Sequence, residues 1–452
     1  MRGKYSIGLL LLAAVASASA EVCPTVVTAV ASRVAALRGV PPPFSPPCRF
    51  VSQEALAEEI ARKLRRDLPT SPELFVEALV RLGFVAGEPA TLLPRLVDFY
   101  RQQVLGFYEP AGNELVIVQE AVAETGLASW IWAHELEHAA QEARFRLPSR
   151  LLAMGSNSDR QRAASAIAEG DALLVMLLLA LPARAGGDPL DLAAEALSRQ
   201  MGAQVAGAEV PEYFVQELLF PYTTGFATTL AAYRRGGWEA VDRLLASPPS
   251  STAELLHPGR PPTPGLGDEV LPSPPPGTEV ILTDTLGEWG FATWLAPRLG
   301  GEEAARVAAA WRGDRFLLLR HRHQPDHWAL ALEVACSDEE GCTLLQQALQ
   351  AQAPALLARL TPEPPTLVWH RTGPRFGLRA AWPAAHETVP PGAHPPRQRS
   401  GRGAGASGTT TALVMITGSR GTSPGNGPPG PVGTAAMAST TSMPATTRPK
   451  TQ

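Results

Sequence analysis

Lysine is nearly missing from this chain. Only Lys4, Lys63 and Lys450 occur among 452 residues, and arginine supplies the remaining basic charge, a genome-composition bias without functional weight. The part expected to fold contains no basic cluster and the formal net charge is -4, so the electrostatic footprint of a nucleic-acid binder is absent. Cysteine is scarce as well. Cys23, Cys48, Cys336 and Cys342 include no C-x₂-C pair, which argues against a cysteine zinc site. Long apolar runs are also missing from the interior: Ala172 to Leu181 is too short to cross a bilayer and reads as part of a core helix.

The N-terminus does carry a targeting pattern. Met1-Arg2-Gly3-Lys4 precedes an apolar run from Ile7 to Ala16, and Ala18-Ser19-Ala20 supplies an A-x-A cleavage site, so residues 1–20 read as a secretory signal. Glu21 places a charge where a lipobox before Cys23 wants a small residue, which argues against lipidation. The expected mature protein is secreted or periplasmic, with no transmembrane segment after cleavage. An even set of cysteines in an exported chain fits two disulfides. Cys23 with Cys48 and Cys336 with Cys342 is the expected pairing, since each pair brackets one short loop.

Composition divides the rest. Pro41-Pro42-Pro43-Phe44-Ser45-Pro46-Pro47 makes residues 21–50 a proline-rich linker. Helical patterns follow over Val51 to Leu68, from Ser71-Pro72-Glu73 onward, and over Thr91 to Gln103. Gly106-Phe107-Tyr108 and Glu114-Leu115-Val116-Ile117-Val118 read as a β-hairpin around a glycine-containing turn. A strand there can either hold an extended peptide by backbone hydrogen bonds or simply cover the core. Helices then run on to about residue 245, closing a region of 51–260. A second proline-rich linker spans 261–278, and residues 279–383 alternate helix and strand as in a smaller α+β domain. From 384 to 452 the composition turns to Pro, Gly, Ser, Thr and Ala without amphipathic period, which predicts a disordered low-complexity tail.

The chemistry-bearing stretch is Trp130-Ile131-Trp132-Ala133-His134-Glu135-Leu136-Glu137-His138-Ala139-Ala140. On a helix His134 and His138 stand one turn apart on one face, so both imidazoles reach a single cation. Glu135 follows the first of them and lies beside the position an attacking water would take, as a general base must. The apolar surroundings predict a buried helix, and buried polar groups need partners that a metal would supply. Glu137 is expected at solvent or in a helix ion pair.

A catalytic zinc site needs a third protein ligand. Gln141 and Arg144 stand where the metzincin pattern requires Gly and His, which excludes that class. Glu169, in Ala166-Ile167-Ala168-Glu169-Gly170-Asp171-Ala172, is the better candidate, because acidic residues around a glycine in an apolar helix are costly without a purpose. Gly170 is expected where this helix packs on the motif helix. Asp171, two residues on and so on another side, is the fallback ligand. His257 and Tyr222, each in a proline-flanked segment, are candidate donors to a tetrahedral oxyanion. His321, His323, His327 and His370 have no recognised ligand spacing.

His134-Glu135-x-x-His138 followed by Glu169-Gly170-Asp171-Ala172 resembles the gluzincin class of zinc peptidases, to which thermolysin belongs. More narrowly, the chain resembles a group of exported bacterial proteins. The residues that carry this likeness are Gly106-Phe107-Tyr108-Glu109-Pro110, the two motif helices, Pro221-Tyr222-Thr223-Thr224-Gly225, Tyr233-Arg234-Arg235-Gly236-Gly237-Trp238 and the segment from Pro248 to Pro258. Glu142-Ala143-Arg144-Phe145 departs from that group at the end of the motif helix. The resemblance implies a mainly α (α+β) zincin-like catalytic domain with a β-hairpin before the active-site helix, plus the smaller α+β C-terminal domain. It also implies a metallopeptidase holding one Zn²⁺ per chain on His134, His138 and Glu169, with Glu135 as base and a protein or peptide as substrate. Two rivals remain open. One is a non-heme di-iron protein using Glu135-x-x-His138 and Glu254-x-x-His257, and the other a binding protein with a vestigial zinc site.

Overall fold

Helical spacing dominates the folded chain. The computed structural model describes residues 23–68, 70–123, 128–180, 189–263 and 265–381. The segment 1–20, read above as a secretory signal, and the expected tail 384–452 lie outside the described residues. The protein is mixed α+β, mostly helical with two small sheets. Its first part runs α1 (Thr25–Arg38), β1 (Cys48–Val51), α2 (Gln53–Asp67), α3 (Pro72–Arg81), α4 (Pro89–Gln103), β2 (Gly106–Glu109), β3 (Glu114–Val118), α5 (Gln119–Ala123) and α6 (Ala128–Phe145). It continues with α7 (Leu147–Leu152), α8 (Ser158–Ala180), α9 (Pro189–Val205), α10 (Glu212–Phe220), a π-helical turn (Pro221–Gly225), α11 (Phe226–Ala246) and α12 (Thr252–Leu256). The remainder is β4 (Thr278–Asp284), α13 (Gly287–Leu299), α14 (Gly301–Ala308), β5 (Trp311–His321), β6 (Trp328–Cys336), α15 (Glu339–Leu356), β7 (Thr366–Arg371) and β8 (Arg375–Ala381).

Local chemistry explains the boundaries. Ser52 and Ser71 cap α2 and α3 by accepting from the N–H groups of Ala55 and Leu74, and Pro72 opens α3 where its missing N–H is no loss. Gly236 and Gly237 leave helical geometry and bend α11, joining what the sequence presents as separate helices on either side. Helix α8 is buried on nearly every side, and its second half is almost wholly apolar. It is long and apolar enough to span a bilayer, yet it runs through the protein interior with 83% of that window buried, as a central helix of a globular core does.

The stretch read as a proline-rich linker, 21–50, is in large part folded. Helix α1 buries Val27, Val30, Ala31, Val34, Ala35 and Arg38 along one face, against Trp132, Leu136 and other residues of α6. Gly39, at φ 65°, ends it in the left-handed conformation that favours glycine. Strand β1 follows and pairs in parallel with β3, so the expected hairpin is part of a three-stranded sheet in the order β1-β3-β2. Strand β2 is its edge.

Strands β4 to β8 form an antiparallel sheet ordered β4-β5-β6-β8-β7. Its core includes Phe291, Trp294, Trp311, Trp328 and Phe376, and takes in Ala78, Leu82 and Ala253 from the helical part. The Trp294 indole donates to the Leu82 carbonyl at 2.7 Å. Of the enclosed carboxylates, Asp284 links the two parts, while Asp159 and Asp314 each bond within their own part. Asp159 at the start of α8 accepts from the N–H and hydroxyl of Thr252, and Asp284 accepts from Ser158. Asp314 accepts from Leu286, Gly287 and the Trp311 indole. Cys23–Cys48 and Cys336–Cys342 are both disulfides, as expected, and fit an oxidising compartment.

Candidate metal centre

Helix α6 holds His134 and His138 one turn apart, with ring centroids 4.8 Å from each other. Helix α8 crosses it and brings Glu169 Oε2 to 3.1 Å from His134 Nε2 and 3.7 Å from His138 Nε2. One ligand atom from each of these three residues lies within 4.8 Å of the others, and all three side chains are buried. Gly170 serves a different neighbour from the one expected. A Cβ there would lie 2.4 Å from the carbonyl oxygen of Gly225, so its lack of side chain admits the π-helical turn, not α6.

A hydrogen-bonded chain sets the orientation of His138. Gln141 Nε2 donates to the Ala168 carbonyl at 2.9 Å and to Asp171 Oδ2 at 3.0 Å, both groups that can only accept when Asp171 is ionised. The amide oxygen of Gln141 therefore faces His138 Nδ1, at 3.0 Å, and Nδ1 must carry the proton. Nε2 is then the nitrogen turned toward Glu169, the atom that can give up its proton and bind a cation.

Buried atoms with no hydrogen-bond partner cluster here: His134 Nδ1, His138 Nε2, Glu169 Oε1 and both oxygens of Glu135. Each such atom costs about 1–3 kcal/mol, so the donor set fits a cation that several of them would share. The electrostatics agree. Burial pushes the Glu169 carboxyl up, but His138 and His134 beside it hold it at about 2. Burial lowers His138 while Glu169 more than offsets this and raises it to about 9. The Glu169 carboxylate thus favours a positive charge beside it, which the imidazole proton of His138 supplies when no cation does. Glu135, wholly enclosed, is pushed up to about 8 by burial.

Strand β2 runs beside Glu135. Its Tyr108 N–H faces that carboxylate without closing a hydrogen bond, and a Cβ on Gly106 would sit 3.6 Å from Glu135 Cγ. Val118 donates to Leu105, and Leu115 donates across to Pro47 on the β1 side. By the alternation of an antiparallel ladder, Gly106 and Tyr108 then turn their N–H and C=O groups away from β3, toward the unpaired edge.

Tyr222 lies in the π-helical turn with its ring centroid 6.4 Å from that of His134. It shares with Glu169 the wall of a cavity of about 130 Å³, whose other walls include Leu68, Phe75, Val76, Leu96, Phe214 and Leu218. The Arg162–Glu217 ion pair lies along the same cavity.

His257 is not brought to this group. Its partly exposed imidazole pairs with Glu288, whose other oxygen takes Arg260 at 2.6 Å. Glu254 accepts from Ser250 and Ser251 at the start of its own short helix, so the second ExxH pair does not converge on the first. Asp171 is buried beside Gln141 and outside the three-residue metal group. Glu137 is buried rather than solvent-facing, and its partner is Arg38 at 2.9 Å. His321, His323, His327 and His370 join no metal-ligating group among the described residues. Sequence reasoning missed Arg38, and it used Gln141 only to exclude the metzincin pattern, not as a partner of His138. Gln141 was within reach, since it lies three residues after His138 on the same helical face.

Comparison with protein-family models, with curated proteins and with solved structures finds no match to the chain.

Proposed function

We propose that this protein is an exported, secreted or periplasmic zinc-dependent peptidase with a zincin-like catalytic region, acting on protein or peptide substrates. The observation that carries this reading is the convergence of His134, His138 and Glu169 on one buried point, with the Glu135 carboxylate close enough to feel the charge of His138 and Glu169. Two imidazoles and one carboxylate suit one Zn²⁺ per chain and leave a position open for reactants. When bound, that cation supplies Lewis acidity toward the scissile carbonyl and the attacking water.

The chain's own groups do the rest. Glu135 takes a proton from water as the water oxygen bonds the carbonyl carbon, and returns it to the amine nitrogen as the C–N bond breaks. Gly106 and Tyr108 of β2 flank the Glu135 carboxylate. Tyr222 is the candidate donor to the oxyanion, and the apolar cavity beside it takes a neighbouring side chain of the substrate. His257 has no part in this scheme because it is engaged with Glu288.

Hydrolysis of an unstructured protein and a mixed peptide pool by the wild type and by Glu135→Gln is the test. The variant should keep its zinc and lose about 10²–10⁴-fold in turnover. Hydrolysis unaffected by the substitution would place the activity elsewhere, and a zinc-loaded wild type that cleaves nothing would favour a binding protein.

A further inference from the structure

Arg38 is among the most buried charges in the protein, and it comes from the N-terminal helix, far along the chain from any metal ligand. A buried guanidinium persists only where partners compensate its lost hydration. Here Nε donates to Glu137 at 2.9 Å, while Nη2 reaches Asp242 at 3.1 Å and Asp171 at 3.4 Å. The guanidinium also lies 4.1 Å from the Trp238 ring centroid. Glu137 stands between the two histidine ligands on α6, and Asp171 stands two residues past Glu169 on α8. The carboxylates that accompany the ligands on both helices therefore meet on one cation.

We propose that Arg38 is a positioning residue of the metal centre: by holding Glu137 and the Asp171–Gln141–His138 chain it sets the affinity of the site for its cation. The proposal rests on the metal reading above. Without the guanidinium, Glu137 and Asp171 lose the one group that holds both of them in place. Asp171 is then free to leave Gln141, the Gln141 amide can turn, and His138 Nδ1 loses its acceptor. Outer partners of this kind change metal affinity by about 10–100-fold. The Cys23–Cys48 disulfide, just before α1 and at the start of β1, holds the helix that delivers Arg38.

The test titrates Zn²⁺ against a competing chelator, and records the Co²⁺ absorption spectrum, for the wild type, Arg38→Met and Arg38→Met/Glu137→Gln, with melting of each metal-free protein alongside. Arg38→Met should bind about 10–100-fold more weakly and show an altered Co²⁺ spectrum. The double variant should recover most of that affinity, because the amide introduced by Glu137→Gln can donate to Asp171 and hold it in place of Arg38. A folded Arg38→Met protein with wild-type affinity and spectrum overturns the proposal. If Arg38→Met does not fold, the double variant decides: folding with near wild-type affinity supports the proposal, and behaviour no better than the single variant overturns it. A wild type that takes up no metal overturns the metal reading itself, an outcome distinct from failure of the role of Arg38.

Discussion

Replacing Asp159 with asparagine should stabilise the protein above pH 7 and change little near pH 4. Asp159 begins α8 and is 1% exposed. Burial pushes its carboxyl up to about 7, although Thr252, donating from both its N–H and its hydroxyl, and Arg162 pull it down. In the unfolded chain the group keeps its ordinary value of 3.8. Between those values the folded state binds more protons than the unfolded one, so stability falls as pH rises through about 4 to 7. The displacement corresponds to roughly 4 kcal/mol at pH 8, about 2 kcal/mol at pH 5 and under about 1 kcal/mol at pH 4. Asparagine keeps an oxygen for both Thr252 donors and has no charge to bury, so the variant's advantage should follow that curve. Asp314, raised by burial to about 6, and Asp284, raised in the same way, leave a residual slope of the same sign in the variant. Urea unfolding of both proteins at pH 4, 5 and 8 measures the difference. A gap that does not widen with pH, or a variant less stable at pH 8, would refute the reasoning.

Gly170→Ala should destabilise the protein by about 1–3 kcal/mol in thermal or urea unfolding, because the new methyl meets the Gly225 carbonyl at 2.4 Å. An unchanged midpoint would mean that α8 and the π-helical turn are not in close contact. Cys23→Ser/Cys48→Ser opens a loop with a sequence separation of 25 and should cost about 3–4 kcal/mol by loop entropy. Equal stability of this double variant under oxidising conditions would count against a packed α1.

The features legible in the sequence are those whose determinants are local. His134 and His138 lie on one helical turn, and the polar Glu169-Gly170-Asp171 step interrupts an apolar helix, so the group that could hold a metal can be read without knowing the fold. The turn residues Gly112 and Asn113 likewise mark the hairpin, and Asn113 takes the positive φ that the turn demands. Contacts distant in sequence were hidden. Strand β1 is four residues long and acquires its meaning only by parallel pairing with β3. Helix α1 is rich in β-branched valine and precedes a proline run, which masks the helical spacing of Val27, Val30, Ala31 and Val34. Arg38 meets Glu137 across 99 residues. His257 shows the opposite failure: its proline-flanked segment is conspicuous locally, but the imidazole is engaged by Glu288 in the other part of the protein.

Metal stoichiometry tests the central claim most directly. Purified, chelator-stripped protein dialysed against Zn²⁺ and analysed by elemental mass spectrometry should retain one zinc per chain, and Glu169→Gln should lose it while remaining folded. A wild type with no bound zinc, or a Glu169→Gln variant that holds zinc as tightly as the wild type, would contradict a centre built from His134, His138 and Glu169.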